Sequence, residues 1–224
     1  MFGVLTDQVK NLFSKYSREE LEQWHLSEAH DKHPDGFIVN LPQWLPKVDS
    51  DTYDEWRAKK LKRLLTQLPT QQSLCVYGVG PAWLYAALAL HAKTQPFYQF
   101  DARIGWVEPP LLIAGTLQPE KQSILSIVQS CPDDDSYLIE LYPKDGYLDY
   151  SEANQLVFPE PPSQRGVIVS GKLPLWLFTA LVRFYTQWDV PWIAVNDARN
   201  NKPVVVYSQV TTHPLGKQFS MPER

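Results

Sequence analysis

The chain has 224 residues, 44% apolar and 21% charged, which is enough apolar content to bury a real core as one or two domains. A formal net charge of -4 excludes broad, nonspecific coating of nucleic acid, because that mode needs a basic surface to release counterions; any anionic ligand must be held locally. No stretch approaches the roughly 18 apolar residues needed to cross a bilayer, and the opening residues have neither a basic start nor a long apolar run, so the sequence reads as cytoplasmic.

Residues 1–33 read as a helical arm. Leu5, Val9, Leu12 and Phe13 fall on one face, and Ser17 with Glu20 has capping-box spacing. His25, His30 and His33 stand near Glu28, Asp31 and Asp35, which is either a metal-binding group or a solvated helix end before Pro34. A short strand follows at 37–41, then a helix-forming stretch at 53–68 with Trp56, Leu61, Leu64 and Leu65 on its apolar side. The apolar run 73–77 is a buried strand that meets Gly78-Val79-Gly80 directly. Pro81 then opens a helix to about residue 92, in whose first turn a missing N–H costs nothing. Strand 97–100 leads through the turn 101–105 into a second short strand at 106–107.

Residues 117–135 read as a linker with a short helix at 123–128 and an acidic, solvated run at 133–135. Beyond it the plan recurs: strand 137–141, a proline-rich middle, strand 166–170, a turn at Gly171-Lys172-Leu173-Pro174, helix 175–185, strand 192–195, a turn at 196–202 and strand 203–208. Cys75 and Cys131 lack partners at ligand spacing and read as buried free thiols rather than a disulfide or a zinc site.

The recurrence extends to residue identities. Gly78, Pro81, Trp83, Leu84, Ala87 and Leu88 match Gly171, Pro174, Trp176, Leu177, Ala180 and Leu181 at one constant spacing. Asp101 and Arg103 match Asp197 and Arg199 at a spacing three residues longer. We read an internal duplication of domain size. The expected fold is α/β: a helical arm (1–33), a first copy (34–116), a linker (117–135) and a second copy (136–224), each copy a small mixed sheet and the two facing each other as a pseudo-dimer.

A strand that feeds a glycine turn and a helix aims backbone N–H groups and the positive end of the helix dipole at one spot, where an anion binds readily. Gly78, Gly80 and Pro81 in the first copy, with Gly171, Lys172 and Pro174 in the second, are the candidate phosphate-holding residues. Asp101 and Asp197 end strands parallel to the turn strands, so they reach the same sheet edge as acid, metal ligand or ribose acceptor, with Arg103 and Arg199 facing phosphate. A purely structural role fits the same residues: turn-shaping Gly and Pro, core Trp83 and Trp176, and a hairpin-capping Asp. Gly78-x-Gly80 lacks the third glycine of a dinucleotide fingerprint, and Gly171-Lys172 lacks Walker spacing. His91 reads as a partly buried surface histidine. His213, in a turn after the last strand, is a candidate proton carrier.

The second copy resembles the CRISPR-associated ring nucleases of the third class, which accompany type III systems. The resemblance rests on Gly166-Val-Ile-Val-Ser-Gly-Lys-Leu-Pro-Leu-Trp-Leu177, Trp192-Ile-Ala-Val-Asn-Asp-Ala-Arg199, Pro203-Val-Val-Val-Tyr-Ser-Gln209 and His213-Pro-Leu-Gly216, and more loosely on 76–84 and 97–103 in the first copy. It implies binding of cyclic tetra-adenylate between units, cleavage with manganese, and further assembly of pseudo-dimers into homo-oligomers. The family's helix histidines are replaced by Tyr85 and Leu90 in the first copy and by Phe178 and Arg183 in the second, and its final-strand histidine by Gln209, which joins the ligand-binding candidates. Asp101 and Asp197 remain as catalytic candidates, with His213 as a substitute base. The resulting expectation is a type III CRISPR accessory protein that binds, and slowly cleaves, cyclic oligoadenylate or short RNA 3′ ends. The alternative is an inactive scaffold that presents a partner surface.

Overall fold

A computed structural model describes residue 29 and residues 31–44, 57–116 and 124–221. The expected arm before residue 29, and the beginning of the stretch 53–68, lie outside the described residues.

The first unit is a four-stranded sheet in sequential order: β1 (Phe37–Asn40), β2 (Leu74–Tyr77), β3 (Phe97–Asp101) and β4 (Gly105–Val107). The first three strands run parallel and β4 turns back antiparallel. Short helices α1 (Leu41–Trp44) and α2 (Leu61–Leu65) occupy the β1–β2 connection, and α3 (Ala82–His91) joins β2 to β3. The second unit adds β6 (Leu125–Ser130), β7 (Ser136–Pro143), β9 (Gly166–Gly171), β10 (Trp192–Asp197) and β11 (Lys202–Ser208), in the order β11-β10-β9-β7-β6. Here β7, β9 and β10 are parallel, and α4 (Leu175–Tyr185) joins β9 to β10. The run β7-β9-β10-β11 therefore repeats the topology of β1-β2-β3-β4. A small parallel pair, β5 (Ile113–Ala114) with β8 (Val157–Phe158), completes the strands described.

The two helices explain why the units are not separate bodies. In α3 every residue from Trp83 to Ala89 is buried, and in α4 burial runs from Trp176 to Val182 and resumes at Phe184 and Tyr185. A helix that is apolar all round must be covered all round. The helices pack on each other. In addition α3 lies against β10 and β11 of the other unit, and α4 against β3. The result is sheet, helix pair, sheet, with one continuous apolar core drawn from both units. Polar bonds cross it as well: the buried Thr179 hydroxyl lies 3.0 Å from Gln99 Oε1, and Arg183 donates to the carbonyls of Lys93 and Gln95 at 2.9 and 3.1 Å, just past the end of α3.

Two expectations are corrected. Residues 123–128 were expected as a helix, but Leu125–Ser130 is a strand antiparallel to β7. Buried Leu125 and part-buried Ile127 alternate with Ser126 and exposed Val128, which is the period of a strand with one covered face. The acidic run 133–135 is the turn of the β6–β7 hairpin rather than free linker. The Asp133 carboxylate accepts from the Asp135 N–H and the Ser136 hydroxyl at 3.0 and 2.7 Å, and Arg165 pairs with Asp134.

The glycine turns are tightly packed. Gly171 has φ +135°, and a Cβ there would stand 2.0 Å from the Leu141 carbonyl oxygen; Gly78 has φ +105° and faces the Pro42 ring at 2.4 Å. Replacing Gly171 by alanine should cost about 3 kcal/mol, from backbone strain plus the clash, whereas Gly146→Ala, with open space around it, should cost about 1 kcal/mol. Urea unfolding of the two variants checks the difference. Burial pushes the Cys75 thiol up to about 11, as a buried free thiol should be, whereas Cys131, expected to be buried too, is exposed just past the end of edge strand β6. A maleimide reagent at neutral pH should therefore label Cys131 at once and Cys75 only after unfolding, as mass spectrometry of the labelled chain would read.

Candidate functional site

Parallel strands joined by helices bring their C-terminal ends to one edge, and in the second unit that edge carries Gly171, Lys172 and Asp197. Side-chain alternation along β10 sends Ile193, Val195 and Asp197 toward the helix layer and Ala194 and Asn196 to the outer face. Where this edge meets the start of α3 there is a cavity of about 270 Å³. Pro81 and Ala82 of the first unit form one wall; Lys172, Phe178, Asp197 and Arg199 of the second line the rest. The cavity therefore exists only because the units pack together.

The donors at this cavity differ from the expected set. The Lys172 backbone N–H donates to the Leu141 carbonyl at 3.2 Å and is spent in holding the turn. Pro81 and Pro174 are the N-caps of α3 and α4, extended at φ -71° and -65° rather than inside the first turn, and neither helix is capped by a side chain. First-turn amides and the Lys172 ammonium are groups at this cavity that can meet an anion, and Arg199 lines it beside them. Asp197 accepts from the Arg199 backbone N–H at 3.2 Å.

The first unit's counterparts are arranged differently. Arg103 grips the Asp101 carboxylate with Nε at 3.0 Å and Nη2 at 2.7 Å, and its backbone N–H adds a third bond at 2.9 Å. That carboxylate holds the guanidinium above its ordinary pKa, and the Tyr147 ring from the second unit lies 5.0 Å away. Gly78 and Gly80 pack against Leu41 and Pro42, and the buried Tyr85 hydroxyl donates to the Gly78 carbonyl at 2.6 Å. None of these residues lines the interface cavity.

Gln209 and His213 lie elsewhere. Ser208 pairs with Trp192, at the start of β10, and the Gln209 N–H donates to the Pro191 carbonyl at 2.9 Å. The His213 ring stacks on Trp192 with centroids 4.4 Å apart. Five residues of strand, about 17 Å, separate that end of β10 from Asp197. His91 sits beside the Pro69 carbonyl at 3.2 Å, and His33 beside the Pro34 carbonyl at 2.8 Å; His25 and His30 fall outside the described residues. Phe178, Asn196 and Ala82 line the cavity without having been singled out as ligand contacts. Asn196 could have been found from its place beside Asp197, since neighbours at a strand end face opposite sides of the same edge. Among the described residues no three His, Cys, Asp or Glu side chains gather closely enough to hold a metal ion. At the interface cavity Asp197 is the one carboxylate among the described lining residues, too few donors to hold manganese there, and no step is assigned to one.

Fold and site together define a mixed α/β protein of two like units sharing a helix layer, with a cationic cavity where they meet. Residues 141–219 match the family described as CRISPR-associated protein (Cas_csx3), a stretch that starts in β7 and takes in the glycine turn, α4, the β10–β11 hairpin and His213. That match supports a CRISPR-related role. No curated protein matches the chain. Among the described residues, no helix is long and apolar enough to cross a membrane.

Burial lowers the pKa of His213, and Lys217 lowers it further, so the folded chain binds that proton less readily than the unfolded chain. The unfolded state then holds more protons below about pH 6.5, and stability falls as pH drops through that value. Thermal midpoints should decline more steeply between pH 7.5 and 5.5 in the wild type than in His213→Phe.

Proposed function

We propose that the chain is a type III CRISPR accessory protein that binds a cyclic oligoadenylate, cyclic tetra-adenylate in the first instance, or a short RNA 3′ end. The observation that carries this reading is the interface cavity, where the start of α3 meets Lys172, Asp197 and Arg199 in a chain of net negative charge. The match of residues 141–219 supplies the CRISPR context. Phosphate lies against Lys172, Arg199 and the first-turn amides, and ribose against Asp197. The two units stem from a duplication, so one polypeptide supplies both walls of a site that otherwise needs two subunits.

Ring opening at such a site uses the ligand's own 2′-hydroxyl. Its oxygen forms a bond to phosphorus, the bond from phosphorus to the 5′-oxygen breaks, and a 2′,3′-cyclic phosphate and a 5′-hydroxyl result. Asp197 takes the 2′ proton, the departing 5′-oxygen takes a proton from water, and holding the reacting atoms in line supplies much of the acceleration. Phe178 cannot act as a base, so turnover is slow.

Thermal unfolding tests the binding. Cyclic tetra-adenylate at a hundred times its dissociation constant should add about 2.7 kcal/mol of stability. Lys172→Ala and Arg199→Ala should each weaken binding about tenfold, the loss of one charge-assisted hydrogen bond. No stabilisation by any cyclic oligoadenylate or short RNA would leave the scaffold alternative. For turnover of labelled ring, Asp197→Ala should abolish product, and Asp101→Ala, whose carboxylate is already committed to Arg103, should change it little.

A further inference from the structure

The second sheet has two edges, and they are finished differently. The outer side of β11 is taken by residues 216–219: the Val205 N–H donates to the Lys217 carbonyl at 3.0 Å, Gly216 to the Val205 carbonyl at 2.9 Å and Phe219 to the Pro203 carbonyl at 3.4 Å. The other edge is β6. At its start the Lys144 N–H donates to the Ile124 carbonyl at 2.9 Å, and β6 continues along β7 in that same register without a bulge. An antiparallel ladder bonds at every second residue, so Ser126, Val128 and Ser130 turn their backbone groups to β7, while Leu125, Ile127 and Gln129 turn theirs outward. Among the described residues, no backbone group bonds to those outward N–H and C=O groups.

Sheet edges that must stay single are protected by lysine, proline, a bulge or shortness. The strand β6 has none of these. It is six residues long, Leu-Ser-Ile-Val-Gln-Ser, without charge, whereas the edge strand β4 of the first sheet has three residues. Val128 stands 49% exposed on its outer face. On the core side, open space of about 500 Å³ adjoins Gln129, with Gly115, Thr116, Pro159 and Glu160 as its other described walls, so the edge is reachable from both faces of the sheet.

We propose that β6 is a self-association edge, at which two copies of this chain pair their β6 strands antiparallel about a two-fold axis at Ile127 and join two five-stranded sheets into one. The outward groups select this register. With Ile127 opposite Ile127 of the second copy, Leu125 of each copy faces Gln129 of the other, and every outward N–H and C=O of both strands is used. A shift of two residues leaves an end residue of each strand without a mate. The composition selects the occupant, because an uncharged strand offers nothing to attract a charged peptide and brings no like charges together when it meets itself, although the whole chain carries -4. A contact made through one strand is small, so the dissociation constant is on the order of 10 µM. This association is independent of the ligand binding proposed above.

Sedimentation of the full chain, from tenfold below to tenfold above that concentration, should show the mass rise from 25.8 kDa toward twice that value. Val128→Lys alters an exposed side chain whose backbone faces β7; it should weaken the dimer at least tenfold and leave the thermal midpoint of the monomer little changed. Ile127→Pro removes an outward N–H and none that β7 uses, and should leave a monomer. Cross-linking in a Cys131→Ser background reads the register. Ser126→Cys mixed with Val128→Cys should form a disulfide under mild oxidation, since these positions face each other with Cα atoms about 4.5 Å apart. Either variant alone, whose cysteines would stand about 7–8 Å apart, should not. If Ile127→Pro fails to fold, Val128→Lys and the cross-link decide. A mass that stays at 25.8 kDa throughout, or a dimer that survives Val128→Lys or gives no mixed cross-link, would overturn the proposal.

Discussion

Everything in this molecule depends on two helices that have no solvent face. Because α3 is built from Ala, Trp, Leu and Tyr on every side, no single four-stranded sheet can cover it. α3 packs against α4 and also against β10 and β11 of the other unit's sheet. The units are thereby locked together through their helices, and Thr179–Gln99 and Arg183 with the end of α3 fix the pairing by polar bonds that an apolar contact alone would not specify.

That locking creates the interface cavity and also breaks the likeness between the units. The same packing that sets Pro81 beside Lys172 and Asp197 brings Tyr147 of the second unit over Arg103 of the first. Asp101 is held by Arg103 in three hydrogen bonds, while Asp197, which accepts from the Arg199 N–H, lines a cavity. The outer faces diverge in the same way, aromatic and filled around Trp106 but polar and open around Glu140 and Asn196. Two units of like topology have been given unlike surroundings.

Much of the fold was legible because its signals are local. A short apolar run, a glycine that must take positive φ, a proline and an apolar helix leave few alternatives, and helix Leu175–Tyr185 follows that pattern to the residue. The misread stretch is Leu125–Ser130, where six residues at a sheet edge have one face against the core and too little pattern to separate a strand from a helical turn. The site was legible only in part. Lys172, Asp197 and Arg199 follow from strand and turn order, but Gln209 and His213 lie at the other end of β10, because an antiparallel return carries the chain back along the strand it pairs with.

The sequence by itself determined the alternation of strands and helices, the likeness of the two halves and the placing of glycine turns, since each is set by neighbours a few residues apart. Tertiary structure alone decided that α3 lies on the partner sheet, that one aspartate is paired and the other lines a cavity, and that β6 is left at an open edge of the second sheet. Those outcomes depend on which surfaces bury each other across distant parts of the chain, and the free energy of that burial is carried by no local motif.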